Sequence, residues 1–94
     1  MFDGRHCTQK DLDLLIKETN KIISVISSDK DDDIKKSSLV NFINLIKRFD
    51  YQIADSLQNK INSSGNDYQR IKEIIKTHVE ELKRNVIIDI YEHQ

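Results

Sequence analysis

The chain has 94 residues, with no proline and only two glycines, Gly4 and Gly65. At ordinary usage about five prolines and six or seven glycines would be expected, so the residues that most often interrupt regular structure are scarce. A turn-rich β-sandwich and proline-rich or collagen-like architectures are disfavoured, and what remains is a single domain of long elements. Fifteen Lys+Arg against sixteen Asp+Glu give a net charge of -1, so no overall field favours nucleic acid or an acidic membrane. The single cysteine, Cys7, cannot form an intrachain disulfide. No signal-like or membrane-spanning apolar run is present, and a cytoplasmic protein is the expectation.

In chain order, residues 1–8 read as a short N-terminal segment. Thr8-Gln9-Lys10-Asp11 has the form of a capping box. Leu12, Leu15, Ile16, Ile22, Ile23 and Ile26 then recur at i, i+3, i+4 and i+7, with Thr19 filling the one gap, which predicts a helix over about 9–28.

The run Ser27–Asp33 ends that helix and supplies N-caps for the next. Asp29, Asp31 and Asp33 alternate like the first half of an EF-hand loop. The sixth position is Ile34 where glycine is needed, and the twelfth is Val40 where glutamate is needed. The acidic run is therefore read as a solvated, capping loop.

A second helix is predicted over about 34–62, with Leu39, Phe42, Ile43, Ile46, Phe49, Ile53, Leu57 and Ile61 on one face. The stretch Asn62–Asp67, centred on Gly65, is the clearest break. A third helix is predicted over about 67–91, turning Ile71, Ile74, Ile75, Val79, Leu82 and Val86 inward. The stretch Val86–Tyr91, rich in β-branched residues, would also suit a strand, but with no partner strand it is assigned to the helix. Short connections make successive helices antiparallel. The expected fold is a single all-α domain over residues 1–94, an up-down-up three-helix bundle that a homodimer could complete.

Two ionisable residues fall on the apolar stripes. Asp50 lies near the centre of the second stripe and His78 near the centre of the third. Counting outward from the turn at 64–65 places them level, so they are expected to form a buried polar pair that sets helix register. The chemical alternatives are a catalytic dyad, or a metal site with His6 and Cys7 folding back from the N-terminus. No nucleophile is placed, and the spacing matches no standard zinc pattern. There is also no phosphate loop, paired-cysteine motif or nucleophile elbow. A non-enzymatic protein without cofactor or metal is the expectation.

Val25, Val40, Leu45, Ile87, Ile88, Ile90 and Tyr91 are left over once the stripes are filled. In the three-helix arrangement they collect at one end, near the acidic loop, and a contiguous apolar patch there marks a partner or dimer surface. The function this suggests is protein–protein binding, with another protein or a second copy, of a regulator, inhibitor, immunity-protein, chaperone or adaptor kind. The runner-up is a nucleic-acid-associated regulator using basic faces of the second and third helices. Glu73, Glu80 and Glu81 interleave with the basic residues there, and no aromatic side chains are placed for base stacking.

Overall fold

The computed structural model describes residues 6–93; residues 1–5 of the predicted N-terminal segment, and residue 94, lie outside the described part. The described chain is all-helical, as expected, but it contains four helices rather than three. They are α1 (Gln9–Ile26), α2 (Asp32–Phe49), α3 (Tyr51–Ser64) and α4 (Tyr68–Glu92).

The predicted first and last helices appear with small changes at their ends. Thr8 and Asp11 close the capping box reciprocally, the Thr8 hydroxyl accepting from the Asp11 N–H and the Asp11 carboxylate accepting from the Thr8 N–H. Asp67 caps α4 by accepting from the Arg70 N–H at 3.2 Å. Residues 86–91 are helical, so the strand alternative falls away. Gly65 ends α3 at φ +59°, a conformation that side chains with a Cβ rarely adopt.

The expected second helix is where the structure departs from the three-helix reading. The chain leaves helical geometry at Asp50 (φ -156°, ψ 111°) and starts α3 immediately. The Asp50 carboxylate accepts from the backbone N–H groups of Gln52 and Ile53, at 3.0 and 3.2 Å. Aspartate is among the better N-caps and a poor interior helix residue, so its place in the middle of the stripe marks a break.

Packing explains why breaking is favoured. One helix over 34–62 would be about 43 Å long. The 18 residues of α1 span only about 27 Å and could cover little more than half of it. Folding the stripe back on itself lets both halves face the same core. Accordingly Leu39, Phe42, Ile43, Ile46, Phe49, Ile53, Leu57 and Ile61 are all buried, although they lie on two helices.

The four helices pack in cyclic order, each against its neighbours in sequence, with α4 closing back onto α1. The molecule measures 43 × 21 × 19 Å. Direction alternates around the ring, and cross-helix bonds set the levels. Lys72 Nζ lies 3.5 Å from Ser27 Oγ at one end of α1, and the Cys7 N–H donates to Asp89 Oδ2 at 2.6 Å at the other. Ser56 and His78 link α3 to α4 at 3.2 Å. This is an up-down-up-down four-helix bundle. The 25-residue α4 outruns the 14-residue α3, so its last turns lie along the N-terminal segment and the start of α1.

Candidate functional site

Asp50 and His78 do not form the expected pair. Asp50 is committed to capping α3, as described above. The His78 ring is 7% exposed and meets different partners. Its Nδ1 lies 2.8 Å from the Ile74 carbonyl oxygen, which only accepts, so this nitrogen carries the proton and donates. Its Nε2 meets the Ser56 hydroxyl at 3.2 Å. Both ring nitrogens are thus satisfied within the bundle, which makes His78 a core polar residue. The continuous-helix register put residue 50 at this level; the reversal at Asp50 puts Ser56 there instead.

The extra reversal also divides the expected apolar patch. In a three-helix bundle α4 would finish beside the acidic loop at residues 27–31. Here it finishes beside Cys7, at the opposite end. Ile87, Ile88, Ile90 and Tyr91 are therefore at one end of the molecule, whereas Val25 and Val40 are toward the other. Ile90 is partly buried against the core, while Ile88 and Tyr91 are 54% and 71% exposed.

Val25 and Leu45 do belong to one surface, though a smaller one. They line a groove of about 280 Å³ between α1 and α2, together with Leu14, Ile22 and Phe42. Its polar rim is Glu18, Lys21, Ser38 and Asn41. Leu14 in this groove is 37% exposed. Val40, 56% exposed, lines a separate groove between α2 and α3.

The basic faces considered for nucleic acid belong to α2 and α4, which occupy diagonal corners rather than neighbouring ones. Several of their cations are engaged locally. Lys35 Nζ sits 4.6 Å from the Tyr68 ring centre, and Lys83 pairs with Glu80 at 3.3 Å. Burial, reinforced by the nearby Asp32 carboxylate, raises the Tyr68 phenol above its usual range.

The N-terminal segment reaches a set of partners that sequence reasoning missed. His6 and Cys7 do fold back, but onto the end of α4 rather than onto Asp50 and His78. Cys7 is buried in the core, and its backbone N–H is held by Asp89. Burial pushes the Cys7 thiol up to about 11, with the Asp89 and Asp11 carboxylates adding to the rise. The Cys7 N–H holds Asp89 below the usual carboxylate range, against the opposing effect of burial, and His93 helps. The His6 and His93 rings stack with centres 3.4 Å apart and planes 16° from parallel. His93 Nδ1 lies 3.5 Å from Asp89 Oδ1. The available sequence signal was the i, i+4 spacing of Asp89 and His93. What brings His6 to them is the parity of the bundle: an even number of helices returns the chain's end to its beginning.

No protein-family model, curated protein or solved structure matches this chain. No helix among the described residues is long and apolar enough to cross a membrane.

Proposed function

We propose that this chain is a non-enzymatic helical module that acts by binding another protein, and that the groove between α1 and α2 receives it. The observation carrying this reading is the groove's apolar lining, in which Leu14, Val25 and Leu45 are at least partly exposed beside buried Ile22 and Phe42. Eleven positions separate Leu14 from Val25, about 16 Å or three turns along α1. That length and an apolar floor with a mixed polar rim suit an amphipathic helix laid into the groove. Glu18 and Lys21 offer opposite charges on one wall, which would orient a helix carrying complementary charges.

The test is affinity capture from host extract with wild-type protein, Leu14→Asp and Leu45→Asp, after circular dichroism has confirmed the fold of each. The same protein should be captured by wild type and at least tenfold less by either variant. Equal capture by all three would reject the groove. Sedimentation of the purified protein tests the second-copy alternative: a wild-type dimer dissociated by Leu45→Asp would make the partner another copy of this chain.

A further inference from the structure

We propose that His6, Asp89 and His93 form a binding site for a divalent transition-metal ion such as Zn²⁺, clasping the N-terminal segment to the end of α4. The ligand atoms these three residues offer all lie within 4.8 Å of one another. Two imidazoles and one carboxylate are a donor set for Zn²⁺, Co²⁺, Ni²⁺ or Cu²⁺; Ca²⁺ and Mg²⁺ prefer oxygen donors alone.

The surroundings orient two of the three groups. Asp89 Oδ2 accepts the Cys7 N–H at 2.6 Å, which fixes the plane of the carboxylate and leaves Oδ1 on the His93 side. His93 Nδ1 lies 2.9 Å from the Asp89 carbonyl oxygen, so Nδ1 carries the proton and Nε2 keeps the lone pair a metal needs. Histidine ligands commonly have their second nitrogen bound in this way. Asp89 and His93 are one turn apart on α4, while His6 is placed by Thr8, which caps α1, and by buried Cys7 beside it.

Coordination requires one adjustment. A metal lies in the plane of each imidazole that binds it, and two nearly parallel rings cannot both point at one ion. His6 is exposed, so its ring can turn about its Cβ–Cγ bond out of the stack while the Asp89 carbonyl holds His93 in place. The Zn–N and Zn–O distances of about 2.0–2.2 Å then draw the three groups together. With only three protein ligands, the remaining position stays open to water. The consequence is a cross-link between residue 6 and residues 89 and 93, closing nearly the whole chain into a loop.

The test uses the full chain without an affinity tag. Co²⁺ is titrated while its visible absorption is followed, Zn²⁺ is titrated by calorimetry, and thermal unfolding is recorded with and without equimolar Zn²⁺. Wild type should bind one ion, and Zn²⁺ should raise its unfolding temperature. His6→Ala and His93→Ala should each weaken binding at least tenfold and abolish the thermal shift, with the metal-free fold unchanged because both rings are exposed. Asp89→Asn, which still accepts the Cys7 N–H, should also weaken binding. Absence of one-to-one binding up to about millimolar Zn²⁺, or binding that survives both His6→Ala and His93→Ala, would overturn the proposal.

Discussion

Replacing Asp50 with alanine tests the feature that makes this a four-helix protein. The substitution removes the acceptor for the Gln52 and Ile53 N–H groups, at 3.0 and 3.2 Å, while Ala itself favours a helix interior. Loss of an N-cap costs about 0.5–2 kcal/mol. The competing state is the fused helix over 34–62, which would strip α3 from the core. Ile53, Leu57 and Ile61 are buried, and at about 1.5–3 kcal/mol each their exposure would cost roughly 5–9 kcal/mol. The packing term exceeds the cap term several-fold, so Asp50→Ala should keep four helices and only lose stability. For a domain of this size a loss of 1 kcal/mol lowers the midpoint by about 4–8 °C, so the expected fall lies between about 2 and 16 °C. Asp50→Asn and Asp50→Ser, comparable caps, should fall within about 0.5 kcal/mol of wild type. Thermal and urea unfolding followed by circular dichroism measure this, with small-angle scattering to check shape. An Asp50→Ala midpoint at or above wild type would show that the cap contributes nothing. A longer particle or a new dimer would show that the fused helix is accessible and that burial by α3 has been overestimated.

Three further outcomes follow from the same structure. Ser56→Ala leaves His78 Nε2 buried without its partner and should cost about 1–3 kcal/mol in urea unfolding, whereas Ser63→Ala, on the exposed end of α3, should cost under about 0.5 kcal/mol. Asp89 has its folded pKa lowered chiefly by the Cys7 N–H, so its stabilisation is present above the unfolded value of 3.8 and is lost as pH falls through the folded value. In metal-free buffer the stability gap between wild type and Asp89→Asn should therefore narrow as pH falls below about 4; a gap that does not narrow would refute the Cys7–Asp89 contact. A Cβ at Gly65 would meet nothing within 4 Å, so Gly65→Ala should cost about 1–3 kcal/mol from its positive φ alone, and an unchanged urea midpoint would contradict that conformation.

Much of the bundle was legible from spacing alone. The residues assigned to the core of the second stripe are all buried, and α1 and α4 turn the expected faces inward, although Ile16 remains 38% exposed. Thr8, Asp67 and Gly65 were readable because capping and turn chemistry is local: each acts on atoms within a few residues of itself. Asp50 shows where that reading stops. The apolar period runs through it unbroken, and the two halves of the stripe look alike whether they lie on one helix or two. Its identity as a cap was visible in principle, but continuity of the stripe argued for a buried partner instead.

The sequence by itself determined the helical class, the faces that turn inward and most of the ends, because these follow from periodicity and local hydrogen bonding. Only the tertiary structure decided the number of helices, since that depends on which length of stripe the other helices can cover. From that number follow the direction of α4, the exchange of Asp50 for Ser56 beside His78, and the splitting of the apolar patch. The meeting of His6 with Asp89 and His93 follows as well. The scarcity of proline and glycine, which first implied long elements, left two of the three reversals to be made without either: the acidic loop makes one, and a single aspartate, Asp50, makes the other.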